Sequence, residues 1–152
     1  MGKVEAIYLA ESAAGVMIRA DCVDAAAGAG LVGDRYAAGA GTFSKWPRDH
    51  ELTLIEAEAI EAISRELPLT KEVGGFRRNL VTRGVGLNDW VGREFFVGEV
   101  SCRGTRLCEP CAHLQRMMGI EGLVEVMMGR GGLRAVIISG GVVRVGDEIR
   151  LG

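Results

Sequence analysis

No apolar run in this 152-residue chain approaches the ~18 residues that a helix needs to cross a bilayer, which excludes a helical membrane span. The start, Met1-Gly2-Lys3-Val4-Glu5, has no long apolar segment of the secretory kind. Ala6 stands where an N-myristoylation signal has Ser or Thr. The expectation is a cytoplasmic protein that does not associate with membranes. An excess of positive charge is also missing: the net charge is −2, which argues against a general nucleic-acid binder. Lysine is scarce. Of 18 basic residues only Lys3, Lys45 and Lys71 are Lys, and the rest are Arg. Arginine grips phosphate or carboxylate through two parallel bonds, where lysine offers a point charge. Codon usage in a GC-rich genome accounts for the bias as a whole, so only particular arginines carry meaning.

What is present suits a folded domain. Hydrophobic residues make up 48% of the chain, and its length suits one domain over 1–152 with a core of its own. Val4 to Leu9 and Val16 to Ala20 read as strands. Residues 25–47 are rich in Gly and Ala and are expected to form mostly a long ordered loop. Glu51 to Ile55 reads as a strand. Glu56 to Leu67 reads as a helix, with Ala59, Ile60 and Ile63 at helical spacing and Pro68 closing it. Phe76 to Thr82 is expected to be a strand, Gly84 to Asp89 a turn-rich link, and Glu94 to Arg103 a ribbon broken at Gly98. A helix is expected from about Glu109 to Met118 and a short one around Leu123 to Met128. After the Gly129–Gly132 turn, Leu133 to Ser139 reads as a buried strand, continuous through Val136, Ile137 and Ile138. Gly140-Gly141 then predicts a hairpin with a last strand, Val142 to Leu151. Val97-Gly98-Glu99 and Val145-Gly146-Asp147 look alike and are expected to be β-turns. Many short strands with a few short helices point to a mainly β fold, a mixed barrel that hides its strand edges by closing.

Three of the four cysteines, Cys102, Cys108 and Cys111, lie within ten residues of one another. In a reducing cytosol an even count does not imply disulfides. With Pro110 as first helical residue, Cys111 is the second, where unpaired N–H groups and the helix dipole stabilise a thiolate. Arg106 adds to that effect and Glu109 opposes it. A thiolate of lowered pKa is a nucleophile, a soft metal ligand or a sulfur carrier. Other readings stand beside this one. Cys22 and Cys102 suit the ordinary role of a small buried residue. Cys108 and Cys111 could form a dithiol, and Cys102, Cys108, Cys111 and His113 a zinc site.

Together the motifs resemble the MOSC family, named after the C-terminal domain of molybdenum cofactor sulfurase. The residues that carry the likeness are Gly33-Asp34-Arg35-Tyr36, Gly41-Thr42-Phe43, Leu54-Ile55-Glu56-Ala57-Glu58, Phe76-Arg77-Arg78-Asn79-Leu80-Val81, Gly86-Leu87-Asn88, Val91-Gly92-Arg93, Cys108-Glu109-Pro110-Cys111-Ala112-His113-Leu114 and Gly131-Gly132-Leu133-Arg134-Ala135. They occur in family order over nearly the whole chain. The resemblance implies a β-rich barrel of the MOSC type and a link to molybdenum cofactor. It places Arg77 and Asn79 on the strand that meets the pterin phosphate, with Arg78 where other members have Pro. Cys111 matches the family cysteine, and Cys108 is an additional thiol of the same catalytic run. Asp34, Arg35, Tyr36 and Thr42 would line the mouth. An arginine clamp suits the cofactor's terminal phosphate, glycine-rich backbone such as 129–132 lets N–H groups approach it, and a thiolate suits molybdenum.

No pyridoxal-phosphate domain precedes these motifs, and no ferredoxin-like cysteine set accompanies them. A cysteine desulfurase or an external redox partner would have to come from elsewhere. Three functions stand open: the resemblance implies a molybdenum-cofactor protein with Cys111 on the metal, reducing small N-hydroxylated substrates, or a carrier of sulfur as a Cys111 persulfide, and the cysteines alone also suit a non-enzymatic zinc or dithiol domain.

Overall fold

Strand alternation sets the architecture. In the computed structural model, which describes residues 2–10, 17–34, 51–67, 77–108 and 122–152, the elements run β1 (Gly2–Leu9), β2 (Ile18–Ala20), β3 (Cys22–Ala26), β4 (Gly30–Leu31), β5 (Leu52–Glu56), α1 (Ala57–Glu66), β6 (Leu80–Arg83), a 3-10 turn (Leu87–Trp90), β7 (Glu94–Val97), β8 (Val100–Leu107), α2 (Leu123–Met127), β9 (Leu133–Ser139), β10 (Gly141–Arg144) and β11 (Glu148–Leu151). Seven strands, in the order β11-β7-β8-β9-β5-β6-β1, form a mixed barrel that closes by pairing β1 with β11. The β5–β6 pair is parallel and the others are antiparallel. Among the described residues no helix is long and apolar enough to cross a membrane.

Successive residues of a strand point to opposite faces, and here both faces of part of the barrel are buried. Ile7, Leu54, Leu80, Phe95, Val97 and Leu133 fill the barrel. Their sequence neighbours Ala6, Tyr8, Ile55 and Val81 pack outward, under Ile63 of α1 and Leu123 and Met127 of α2. Burial on both sides is why β5 reads as an unbroken run rather than an alternation. Helix α1 ends at Glu66, and Leu67, just before Pro68, is extended as pre-proline sterics require. A second sheet, β10-β3-β4, lays Val23, Ala25, Leu31 and Val143 against the same core.

Several expectations are corrected. Residues 25–31, the start of the stretch read mostly as loop, belong to the β3–β4 hairpin, and Cys22 is exposed, because its neighbour Val23 takes the inward position. The strand expected over Phe76–Thr82 starts only at Leu80. β9 alternates, burying Ile137 while leaving Ile138 47% exposed, since one face of it looks outward. The expected hairpin through Gly140-Gly141 does not form. β9 pairs with β8 and β5, whereas β10 crosses to β3, and the single last strand is two strands in different sheets. Gly98 and Gly146 do sit in left-handed turn conformations, with φ of 57° and 95°. The two turns also meet: a side chain at Gly98 would come within 2.6 Å of Asp147 Oδ2. The helix expected from Glu109 to Met118 lies outside the described residues.

Candidate functional site

The segment entering β6 makes the densest set of long-range polar contacts. Asn79 is fully buried and ties three stretches of chain together. Thr53 donates its N–H (3.2 Å) and its hydroxyl (3.1 Å) to Asn79 Oδ1, and Asn79 Nδ2 donates to the Tyr8 carbonyl at 3.1 Å. The Asn79 N–H in turn reaches Thr53 Oγ1 at 3.0 Å. A buried amide with so many partners fixes the start of β6 between β1 and β5.

Arg78 extends the set in another direction. It is 7% exposed, and it donates from Nε to the Gly131 carbonyl at 2.8 Å and from Nη2 to the Cys108 carbonyl at 3.3 Å. The Cys108 N–H donates to the Gly132 carbonyl at 2.7 Å, so the end of β8 and the turn before β9 are bonded both to each other and to Arg78. Gly132 is required here. Its φ is +99°, and a Cβ would fall 1.9 Å from the Leu54 carbonyl oxygen. The glycines of this turn therefore serve close packing and present carbonyls to Arg78 and Cys108. Asp34, also fully buried, accepts the Ala10 N–H at 3.0 Å and holds the chain just past β1, two residues from Tyr8.

Arg77 differs from its neighbours. It is the one non-glycine residue with positive φ among those described, at 66°, and it is half-buried with Nη2 inside. Hydrogen bonds and chain adjacency thus connect Asp34, Ala10, Tyr8, Asn79, Arg78, Cys108 and Gly131, and Arg77 is the residue next to Arg78. Of the candidates drawn from sequence, Asp34, Arg77, Arg78, Asn79 and Cys108 fall here. Arg35, Tyr36, Thr42 and Cys111 lie outside the described residues.

The thiols divide by environment. Cys108 is 2% exposed. Cys102 is buried in the barrel, and desolvation, with a smaller contribution from the Glu51 charge, pushes its thiol up to about 12, so it stays protonated. Cys102 pairs with Ile137, and Leu107 with Leu133, four residues along β9, which separates them by ~13 Å. Zinc holds its thiolates at ~2.3 Å, so Cys102 does not share a zinc ion with Cys108. Among the described residues no group of three or more His, Cys, Asp or Glu side chains could hold a metal.

Sequence reasoning missed Thr53, the carbonyls of Gly131 and Gly132, and Glu51, whose buried carboxylate accepts the Ile137 N–H at 3.0 Å. A carbonyl gives no signal in sequence, and a Thr in an apolar strand reads as strand propensity. Glu51 alone could have been suspected, as a charge at the start of a buried strand. Glu56 stands before α1 as its N-cap residue, without a side-chain cap bond. Its carboxylate accepts the Leu87 N–H at 3.2 Å, and burial raises its pKa more than that bond lowers it, with the charges of Glu58 and Asp89 adding to the rise.

Against known proteins, the MOSC domain profile matches residues 31–150. Compared with curated proteins, the sequence has no significant match. In fold the chain is similar to the YUAD protein of Bacillus subtilis, with a TM-score of 0.81 and 18% identity over 99% of this chain and 96% of that one. It is also similar to YiiM of Escherichia coli, with a TM-score of 0.73 and 21% identity over 99% and 69% of the two chains. YiiM of Geobacillus stearothermophilus gives a TM-score of 0.77 and 13% identity over 100% and 75%. With the profile covering most of its length, this chain belongs to the MOSC domain family.

Proposed function

We propose that this protein binds molybdenum cofactor, with Arg77 turned to the terminal phosphate and Cys111 as thiolate ligand of the metal. MOSC domains are associated with that cofactor in general. The observation that carries the reading is the 3.3 Å bond from Arg78 Nη2 to the Cys108 carbonyl. It brings Arg78, beside Arg77 and Asn79, against Cys108, three residues before Cys111 in sequence, which supports a phosphate grip and a soft thiol working together. The donor chemistry suits the group: a guanidinium for a phosphate monoester, a thiolate for molybdenum.

Within this reading the residues divide their work. Arg77 neutralises the phosphate. Asn79 and Asp34, both fully buried on backbone partners, hold the start of β6 and the chain just past β1 in place. When bound, the cofactor supplies two-electron redox chemistry, and small N-hydroxylated compounds are the proposed substrates, with electrons from an external partner.

The test is metal content. The protein is expressed in a host that makes molybdenum cofactor, beside Cys111→Ala, and molybdenum, tungsten and zinc are quantified. Near-stoichiometric molybdenum lost in the variant is the expected result. No molybdenum in either protein overturns it and turns attention to sulfur transfer, read as one added sulfur atom on Cys111 by intact mass after treatment with a desulfurase. Zinc retained through Cys111 overturns it in favour of a structural site.

A further inference from the structure

We propose that Arg78 is a positioning residue: one edge of its guanidinium latches the end of β8 to the turn before β9, and so fixes Cys108, three residues before Cys111 in sequence. This goes beyond the proposed function and rests on it only in taking Cys111 as the working thiol. The resemblance puts Arg78 beside the phosphate grip. Its contacts give it a different task.

Two donors of one guanidinium meet two carbonyls from separate parts of the chain, Gly131 at 2.8 Å and Cys108 at 3.3 Å. Those carbonyls are 23 residues apart in sequence. Arginine carries its donors in a rigid planar fork, so meeting both acceptors fixes their spacing as well as their attraction. The Cys108 N–H is also committed, to the Gly132 carbonyl at 2.7 Å. Both backbone polar groups of Cys108 are therefore anchored, and the residue is 2% exposed. β8 alone supplies only part of this hold. Its last pairing with β9 is Leu107 to Leu133, and the Cys108 N–H bond to Gly132 continues that register by one residue. The Cys108 carbonyl is held from outside the ladder, by Arg78. Neighbouring Arg77, by contrast, is half-buried and in the left-handed conformation, which suits a group that faces a ligand.

The cysteines provide a test with internal standards. Full-length wild type, Arg78→Gln and Arg78→Lys, without cofactor, are treated with iodoacetamide, and the alkylation rate of each cysteine is read by peptide mass spectrometry. Cys22, exposed, gives the unhindered rate. Cys102, in the core with its thiol raised to about 12, reports global unfolding. Cys108 reports the latch. The expected result is at least a tenfold faster Cys108 in both variants, with Cys102 unchanged. Lysine keeps the charge and the aliphatic stem, but a single ammonium does not reproduce the fork, so it does not rescue. Three outcomes overturn the proposal. One is a Cys108 as slow in Arg78→Gln as in wild type, which means that no latch exists. Another is Arg78→Lys matching wild type while Arg78→Gln does not, which means that charge and not the fork acts. The third is a Cys102 that accelerates in step with Cys108 in both variants, which means that Arg78 is a general stabiliser. Since no metal takes part, these outcomes are independent of molybdenum retention by the wild type.

Discussion

At Arg77 backbone and side chain make opposing demands. An L-residue in the left-handed region costs ~1–2 kcal/mol, and glycine would adopt φ of 66° freely. A side chain kept at such a position needs a reason outside the backbone. Arg77→Gly separates the two demands. It relieves the strain and loosens the unfolded chain, effects that oppose each other, so the unfolding free energy should stay within about 1 kcal/mol of wild type. Molybdenum retained on purification should fall to background. A loss of several kcal/mol in denaturant unfolding, with molybdenum retained, would place the guanidinium in the scaffold and not at the phosphate. The types of Asp34, Arg78 and Asn79 were legible in sequence, but their use was not. A buried Asn that staples three strands and an Asn that faces a ligand present the same donors and acceptors. What distinguishes them is which carbonyl stands 3 Å away, and the Tyr8 carbonyl is 71 residues from its partner.

Local elements were read well where the signal is local. Helix α1 follows from the spacing of Ile60 and Ile63 and stops before Pro68, and the β7–β8 ribbon turns at Gly98. Strand partners were read poorly. Gly140-Gly141 has hairpin chemistry, yet β10 pairs with β3 because the inward residues Val23 and Val143 find the core that way. Pairing over more than a hundred residues leaves no mark in a window of ten. The junction of β5 and α1 adds a prediction. Burial, with Glu58 and Asp89 nearby, raises the Glu56 pKa in the folded protein. A carboxyl whose folded pKa lies above its unfolded value disfavours folding when ionised. That penalty is full above the folded pKa, and it fades as pH falls through it toward 4.5. Glu56→Gln keeps an acceptor for the Leu87 N–H and removes the charge. The variant should be at least as stable as wild type at pH 7, and its advantage should shrink on acidification. Denaturant titrations at a series of pH values check this, and an advantage that grows toward acid would contradict the assignment.

Across the whole molecule, what matters most is that the barrel closes. Pairing of β1 with β11 closes the barrel, and among the described residues the free edges belong to β2, β4 and β10, of three, two and four residues. The seam is short: Gly2 with Ile149 and Lys3 with Glu148. Ile149 carries most of it. It lies in register with Gly2 on one side and Val97 on the other, is 1% exposed, and belongs to the core that fills the barrel and underlies the second sheet. Its neighbour leaves no room for exchange, since a Cβ on Gly2 would come within 2.8 Å of the Ile149 side chain. Ile149→Ala should therefore cost ~2–5 kcal/mol, the range for truncating a buried aliphatic residue. Because one core serves both sheets, the loss should lower the thermal midpoint on the order of 10 °C in a single transition. Calorimetry distinguishes the alternatives. Two separated transitions would mean that the β10-β3-β4 sheet melts apart from the barrel, and a shift of a degree or less would mean that the seam adds little to holding the β6 entry and the end of β8 in one place.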